Sequence, residues 1–321
     1  MRCRRRTQHV GRDGKEVGQI KTVAIVGMGA LGLMYGEHIQ KAAGPDSVCF
    51  LLDDGRMERY RDYSFSVNGE TVQFSMVSAA KAKPVDLVIV ATKYNGLRDA
   101  MQVMEKAVDE HTVIISVLNG ISSEEILGEQ FRKENIVPCV ALGMDAMRDG
   151  QSLSYCNKGS LRLGIVEEKQ RPALEAVTEF FDRISMPYGV EEDIMHAMWG
   201  KFMLNVGINQ TCMVYDTTYS GALAEDAARE DMFAAMHEVL TIAEAERITL
   251  TEEDFAYYVN IIRRLNPQGY PSMRQDALAH RPSEVEMFAG TVCRIAARHG
   301  IAVPVNQKYQ QIIREREKSY T

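Results

Sequence analysis

A strand-like run followed directly by three spaced glycines constrains the fold of this chain most. The run KTVAIVG begins at Lys21, and the segment after the glycines has helical apolar spacing. The turn between them has the pattern GxGxxG and consists of Gly27, Met28, Gly29, Ala30, Leu31 and Gly32. In this context the first glycine permits a tight turn, the second lets the backbone approach a pyrophosphate, and the third lets helix and strand pack closely. The sequence therefore predicts a dinucleotide-binding turn, and a glycine turn that binds nothing is the alternative.

Strand-like and helical segments alternate through the first part of the chain. Buried strands are predicted at VCFLLDD, VDLVIVAT, TVIISVLN and IVPCVAL, and helices are predicted to begin near Asn95, Ser122 and Arg171. The segment YSFSVNGETVQFSMV is typical of a hairpin with Asn68 and Gly69 at its tip. This alternation predicts a parallel, doubly wound sheet of the Rossmann type.

Strand signals end near Glu192, and helical patterns dominate from there to the C-terminus. We therefore predict an α/β chain in three parts. Residues 1–20 form a basic, disordered extension, residues 21–191 form a Rossmann dinucleotide-binding domain, and residues 192–321 form an all-helical domain that binds the substrate.

Composition and charge exclude several classes of protein. The net charge of -7 gives no sign of nucleic acid or an anionic membrane as partner, and no apolar run approaches the ~20 residues of a membrane-spanning helix. The six cysteines are scattered, without a CxxC pair or a histidine at metal-ligand spacing, so we expect reduced thiols and no metal. The N-terminus lacks the apolar region of a secretory signal, which predicts a cytoplasmic protein.

The end of the second predicted strand bears on the choice of nucleotide. A carboxylate there binds the ribose 2′-hydroxyl of NAD(H), whereas a basic residue accepts the 2′-phosphate of NADP(H). Asp53 stands 21 residues beyond Gly32, close to the ~20 expected of the ribose carboxylate, and Asp54 follows it. This charge favours NAD(H), while Arg56 keeps NADP(H) open. An acidic turn that only solvates the strand end is the alternative.

A row of polar residues interrupts an otherwise apolar segment in the second half. The stretch WGKFMLNVGINQTCMVY carries Lys201, Asn205 and Asn209 at intervals of four. Residues four apart lie on one face of an α-helix, so these three side chains would project in the same direction. The apolar neighbours predict a largely buried helix, whose polar row must face water, another protein group or a ligand. We favour the ligand.

Several separated motifs resemble the ketopantoate reductase, or 2-dehydropantoate 2-reductase, family. In the family's order they are GMGALG at Gly27, ATKYN around Lys93, LNG at Asn119, WGKFMLNVGIN at Trp199, SMRQDALAHRPSEVE from Ser272 and RHGIAVPVN at Arg298. The resemblance extends from Lys21 nearly to the C-terminus. It implies a Rossmann domain, a helical domain, and reduction of ketopantoate to pantoate in the cleft between them.

The resemblance also implies roles for the matching residues. Lys201 would donate the proton to the substrate oxygen, and Glu284 would contact the substrate and position the lysine. Asn205 and Asn209 would bind the substrate, and Ser272 would help to hold its carboxylate. A buried ammonium beside a carboxylate suits proton donation, because burial lowers its pKa while the carboxylate raises it.

Two further matches fall on the nicotinamide side of the cleft, which Lys93 and Asn119 would line, with Asn119 also close to the substrate. Each match has a plainer alternative. Lys93 could be an ordinary lysine at a strand end, and Asn119 with Gly120 could form only a turn. Ser272 could cap the next helix, and Glu284 could lie in a first helical turn.

The sequence departs from the family at the nucleotide site. The family's usual preference is NADPH, with a basic residue where this chain has Asp53, so we carry both NADP(H) and NAD(H) as cofactors. A reductase of another branched 2-oxo acid, or a nucleotide-sensing protein without turnover, are the alternative functions. The expected partner is a small-molecule 2-oxo acid, and the helical half could supply a homodimer interface.

Overall fold

The computed structural model of the protein describes residues 18–320. Most of the predicted extension, residues 1–17, lies outside the described residues. Ile20, which the sequence places in the extension, is fully buried, and its carbonyl accepts a hydrogen bond from Arg183. The prediction was wrong at this residue, because one isoleucine beside a lysine carries no periodic signal. The packed part of the chain therefore begins before Lys21.

All strands of the described residues lie between residues 23 and 190. They are β1 (Val23–Val26), β2 (Val48–Leu52), β3 (Phe65–Val67), β4 (Glu70–Val72), β5 (Met76–Ser78), β6 (Leu87–Val90), β7 (Val113–Ser116), β8 (Ile136–Val137), β9 (Cys139–Met144), β10 (Met147–Asp149), β11 (Ser152–Ser154), β12 (Lys158–Leu163) and β13 (Tyr188–Val190). Six of them form a parallel sheet in the order β5-β2-β1-β6-β7-β8. The order reverses at β1, so a crevice opens beyond the carboxyl ends of β1 and β6, where open α/β sheets bind their ligands.

Two smaller sheets flank this one, with the strand orders β10-β11-β3-β4 and β13-β12-β9. Strands β3 and β4 are antiparallel and form the predicted hairpin. Its tip residues Asn68 and Gly69 have φ angles of 49° and 86°. Positive φ at both central residues is what a two-residue hairpin turn requires, and asparagine followed by glycine adopts it most readily. The predicted hairpin is confirmed.

The α-helices of residues 18–320 divide between the two halves of the chain. Before residue 191 lie α1 (Ala30–Ala43), α2 (Asp54–Tyr60), α3 (Leu97–Met104), α4 (Ser123–Leu127) and α5 (Arg171–Arg183). After it follow α6 (Ile194–Val214), α7 (Tyr219–Ala222), α8 (Ala227–Ala245), α9 (Glu252–Arg263), α10 (Ser272–Leu278), α11 (Ala289–His299) and α12 (Pro304–Glu317). The predicted fold class, a Rossmann-type sheet followed by a helical C-terminal region, is confirmed. None of the described helices combines the length and the apolar character that crossing a membrane demands.

Helix α6 is the centre of the second half. It packs against α8, α9, α10 and α12, and most of its 21 residues are buried. The side chain of Asp193 caps its N-terminus by accepting a hydrogen bond from the His196 N–H. A helix that is apolar on nearly every side must be enclosed by other elements. Its few polar side chains are therefore held at defined positions.

Buried apolar side chains form a main core in each half, and a small cluster of Val140, Ile194 and Met198 joins the halves. Two clusters cover the faces of the six-stranded sheet, one of them containing Ile25 and Phe50 and the other Val88 and Leu97. A third cluster surrounds α6 and includes Phe202. The division of the chain into domains at residue 192 stays a prediction, and this separation of cores supports it.

Candidate active site

The glycine turn between β1 and α1 has a geometry that only glycine permits at two positions. Gly27 has a φ of 113°, and a Cβ there would lie 2.5 Å from the Ala91 carbonyl oxygen. A Cβ on Gly32 would lie 1.9 Å from the Gly27 oxygen. The first conflict keeps the turn tight against the end of β6, and the second keeps α1 close to β1. Gly29 precedes α1 as its N-cap, with Met28 buried before it and Ala30 and Leu31 opening the helix.

This turn fits the pyrophosphate of a dinucleotide. The first N–H groups of α1 have no partners within the helix, and together with the helix dipole they favour an anion. Beside the turn, the Thr92 hydroxyl is buried and finds no hydrogen-bond partner among the described residues. A buried polar group without a partner is costly unless a ligand or water satisfies it. Both observations agree with a bound nucleotide.

Asp53 and Arg56, the residues predicted to read the adenosine ribose, contact each other. Asp53 is the N-cap of α2: its Oδ1 accepts a hydrogen bond from the Arg56 N–H at 2.7 Å, and its Oδ2 lies 3.1 Å from Arg56 Nη1. The Asp53 side chain is still 45% exposed, so it can accept further hydrogen bonds. Asp53 therefore has a structural role at the end of β2 that is compatible with binding a ribose hydroxyl.

Lys201 projects from α6 toward the strands of the first half. Its Nζ donates to Asn119 Oδ1 at 2.8 Å and to the carbonyl oxygen of Ala141, in β9, at 2.6 Å. Burial lowers the pKa of Lys201 to about 8, although the Glu284 carboxylate opposes this change. An ammonium has three donors, and two are used here. The third has no acceptor among residues 18–320.

Asn119 lies between Lys201 and Glu284, because its carboxamide oxygen accepts from the lysine and its side chain is near enough to the Glu284 carboxylate to lower the Glu284 pKa. Burial raises the pKa of Glu284, and so does the nearby Asp276, whereas Lys93 and hydrogen bonds from Tyr94 and Asn119 lower it. Gly120 follows with a φ of 89°, and a Cβ there would lie 2.8 Å from Met287 Cγ. The Asn119 segment is thus more than a surface turn.

Lys93 reaches across the cleft to a residue that the sequence reasoning missed. Its Nζ lies 2.7 Å from Oδ2 of Asp276, on α10, and the other oxygen of Asp276 accepts from Arg281 Nε at 2.9 Å. The Asp276 side chain is only 6% exposed. Asp276 stands four residues after Ser272, on the same face of α10, and that spacing is the signal that could have found it.

The two asparagines of the polar row stay without protein partners. Asn205 and Asn209 lie on α6 with 7% and 5% of their surface exposed. No hydrogen bond joins either carboxamide to another residue in the described range 18–320. Buried amides normally bond to something. The row therefore divides, with Lys201 held by protein groups and both asparagines free to bind a ligand.

Ser272 and Glu284 do not have the plainer roles that we considered for them. Pro271, not Ser272, is the N-cap of α10, and Ser272 is the exposed first residue of that helix. Glu284 precedes α11, which begins at Ala289, so it lies in a bend and not in a first helical turn. Both of these alternatives were wrong. The structure brings Lys201, Asn119 and Glu284 together, whereas Ser272 makes no hydrogen bond with them.

The site combines a dinucleotide-type glycine turn with a partly buried lysine held by Asn119 and Ala141, and comparison with known proteins identifies the class as NAD(P)-dependent oxidoreductases that act on a keto or hydroxyl group. Two sequence models of one family cover nearly the whole described chain. Residues 23–168 match "Ketopantoate reductase PanE/ApbA", and residues 193–317 match "Ketopantoate reductase PanE/ApbA C terminal". The chain belongs to the ketopantoate reductase family.

Individual relatives agree with this assignment at low identity. The 2-dehydropantoate 2-reductase of Streptococcus pyogenes serotype M6 is 24% identical over 302 residues, which cover 92% of this chain and 97% of the relative. The enzyme of the same name from Lactococcus lactis is 22% identical, covering 92% and 98%.

Solved structures share the fold. A 2-dehydropantoate 2-reductase from Geobacter metallireducens is 24% identical with a TM-score of 0.79, covering 92% of this chain and 99% of that one. A D-mandelate dehydrogenase solved in complex with NADH is 21% identical with a TM-score of 0.84, covering 94% and 100%.

Proposed function

We propose that this protein reduces ketopantoate to pantoate with a nicotinamide nucleotide, and that Lys201 donates the proton. The observation that carries the proposal is the buried Lys201 ammonium, which has a pKa of about 8 and one donor left unused by the protein. A proton donor works best when its pKa lies near the operating pH. Lys201 meets that condition on the face of α6 that it shares with two unpartnered amides.

The proton transfer in this reaction can be assigned to particular residues of the chain. A nucleotide held at the glycine turn would supply the hydride for the carbonyl carbon, and the residues of this chain would supply and position the proton. As negative charge develops on the carbonyl oxygen, the third N–H of Lys201 donates to it and then releases its proton. Asn119 and the Ala141 carbonyl hold the nitrogen in place throughout. Glu284 stabilises the ammonium before transfer through its charge.

The asparagines on α6 are suited to binding the remaining polar groups of the substrate. Asn205 and Asn209 offer both donors and acceptors, so they can bond a carboxylate and a hydroxyl without adding another charge. Ser272 is exposed at the start of α10 and would help to hold the substrate carboxylate. These assignments rest on position along the elements and on the lack of protein partners for both amides.

Reduction of another branched 2-oxo acid is the second candidate function, and one observation favours it. Asp53 and Asp54 follow β2 where a 2′-phosphate would need a cation, which favours NAD(H) over the NADP(H) usual in this family. The D-mandelate dehydrogenase with the same fold was solved with NADH. Both candidates use every residue named above, and they differ in the shape of the substrate pocket and in the preferred nucleotide.

The proposal is tested by initial rates of ketopantoate reduction with NADPH and NADH in parallel. We expect Lys201→Ala to lower kcat by about 100- to 10,000-fold, the usual contribution of a general acid, while nucleotide affinity is retained. Lys308→Ala is the matched control, because Lys308 also lies in the helical half but pairs with Asp231 away from the cleft. If wild-type protein binds nucleotide yet reduces no ketopantoate, the substrate assignment is refuted. A panel of other 2-oxo acids would then be tested as substrates.

We also propose that the protein is a cytoplasmic homodimer. A dimeric ketopantoate reductase from Staphylococcus aureus shares the fold at 20% identity with a TM-score of 0.77. Light scattering of the purified protein should give twice the chain mass of 36.0 kDa. A mass equal to one chain across micromolar concentrations would contradict the dimer.

A further inference from the structure

Arg148 lies against the glycine turn, although it comes from a distant part of the chain. It stands in β10, and its Nη1 donates to the carbonyl oxygen of Met28, the residue between the first two glycines. Its Nε donates to the Gly150 carbonyl at 2.9 Å. A side chain 120 residues from the turn in sequence therefore fixes the backbone there.

Aromatic rings hold the guanidinium in this position. Its central carbon lies 5.7 Å from the ring centroid of Tyr60 and 5.6 Å from that of Phe65. Tyr60 ends α2, and Phe65 begins β3, so the small sheet and the nucleotide-binding sheet meet at this arginine. Rings on the guanidinium restrain the side chain and make its position well defined.

The charge of Arg148 is not balanced by a carboxylate. Of the ion pairs found among residues 18–320, none includes Arg148. A partly buried cation without a counter-ion is unfavourable unless an anion binds next to it. The anion expected at this turn is the pyrophosphate of the nucleotide, which the N-terminus of α1 already favours. Arginine is well suited to phosphate oxygens, because donors beyond the two already used remain available.

We propose that Arg148 binds the nucleotide, giving positive charge to its pyrophosphate while holding the Met28 carbonyl in place. The pyrophosphate is common to NADH and NADPH, so Arg148 strengthens the binding of both equally. The inference concerns the nucleotide alone and does not depend on which 2-oxo acid is reduced.

Calorimetric titration of the full chain tests this with NADH, NADPH and two fragments. ADP-ribose carries the pyrophosphate without a 2′-phosphate, and 2′-AMP carries a phosphate at that position without the pyrophosphate. For Arg148→Met we expect the dissociation constants of NADH, NADPH and ADP-ribose to rise by about 10- to 100-fold, the range of a charge-assisted hydrogen bond, and that of 2′-AMP to stay the same. Arg148→Lys should recover part of the loss, since it keeps the charge.

Arg183→Met is the matched control. Arg183 also donates to a backbone carbonyl, that of Ile20, and lies 5.4 Å from the ring centroid of Phe180, but it is placed away from the turn. We expect it to leave all four affinities unchanged, with thermal melting showing that both variants are folded. Unchanged affinities in Arg148→Met would overturn the proposal, and so would equal losses in the two methionine variants. Weaker binding of NADPH and 2′-AMP alone would also overturn it, because Arg148 would then read the 2′-phosphate.

Discussion

The nucleotide half and the reactive half of the site are built in different ways. In the nucleotide half several contacts join near neighbours, such as Gly27 with Gly32 and Asp53 with Arg56. In the reactive half Lys201 bonds Asn119 across 82 residues, and Lys93 bonds Asp276 across 183. Backbone conformation fixes the nucleotide half of the site, whereas packing between distant parts of the chain fixes the reactive half. Local sequence therefore specifies the glycine turn and the Asp53 end of the nucleotide half, whereas only the complete fold brings Arg148 to that turn and holds the proton donor in place.

The largest effect on stability is expected when a methyl group is added at Gly27, in the nucleotide half of the site. Gly27→Ala combines a φ of 113° with a clash against the Ala91 carbonyl, so we expect unfolding free energy to fall by about 3 kcal/mol or more and nucleotide binding to be lost. Gly44→Ala is the control, since Gly44 has a φ of 98° but open space around a Cβ. It should cost about 1 kcal/mol. Equal losses in chemical denaturation would show that strain alone matters and the close approach does not.

The charge of Lys201 in the reactive half should make the stability of the protein depend on pH. The folded-state pKa of Lys201, about 8, lies below the unfolded value of ~10.4, so the penalty for the buried charge is complete below pH 8 and disappears as pH rises toward ~10.4. The stability of wild type relative to Lys201→Met should thus rise by up to about 3 kcal/mol across that window.

Lys308→Met provides the opposite case for this measurement. Asp231 raises the pKa of Lys308, so wild-type stability relative to this variant should fall as pH rises. Denaturation curves at pH 7, 9 and 10 measure the Lys201 difference, and curves extended to pH 11 measure the Lys308 difference, because the Lys308 contribution is lost only above ~10.4. A flat difference for Lys201→Met would mean that Lys201 is solvated in solution.

Asn119→Ala tests whether the link between Lys201 and Glu284 matters for the reaction. We expect kcat/KM for reduction to fall by about 100-fold, as for loss of one placed hydrogen-bonding group. In wild type kcat/KM should be constant below about pH 8 and fall above it, because the lysine must be protonated. Losing the acceptor lowers the pKa of Lys201, so the descending limb should move to lower pH.

Asn157→Ala is the control for Asn119→Ala, because the Asn157 side chain accepts a hydrogen bond from the Gly159 N–H in a turn of the same half. Its rates and pH profile should match those of wild type. An unchanged descending limb in Asn119→Ala would place the asparagine outside the proton transfer.

The smallest effect concerns the two ion pairs, one long-range and one local. A double-mutant cycle on Lys93 and Asp276 should give a coupling of about 1 kcal/mol, because Asp276 is buried and Lys93 is half exposed. A cycle on the exposed pair Asp53 and Arg56 should give about 0.3 kcal/mol. Urea denaturation of the four variants in each cycle measures both values. A larger coupling in the local pair would reverse the comparison between the halves.

The sequence predicted the parts of the structure that local chemistry determines. The hairpin at Asn68 and Gly69 and the helix from Arg171 follow from turn propensity and periodicity, and the fold class follows from their alternation. Asp276 and Arg148 were missed, because each acquires its partner only through long-range packing. The same limit explains the wrong placement of Ile20.

The site roles differ in how they could be predicted. Spacing alone placed Lys201, Asn205 and Asn209 on one helix, and that helix exists as α6. The roles of Lys201 and Glu284 came from family resemblance and stay predictions. No pattern in the sequence could show that the Ala141 carbonyl holds the lysine, because a backbone oxygen has no residue-specific signature.

The first turn of α2, from Asp53 to Arg56, has a consequence for how such enzymes can diverge. Asp53 pairs with Arg56 and Asp54 accepts a hydrogen bond from Ser78, and none of these contacts reaches Lys201 or Glu284. Substitutions at these residues can therefore change the preferred nucleotide while Lys201 and Glu284 stay in place. A new reaction would require coordinated changes in residues that lie far apart in the chain. Enzymes descended from one ancestor would then differ in the nucleotide they prefer more readily than in the reaction they catalyse.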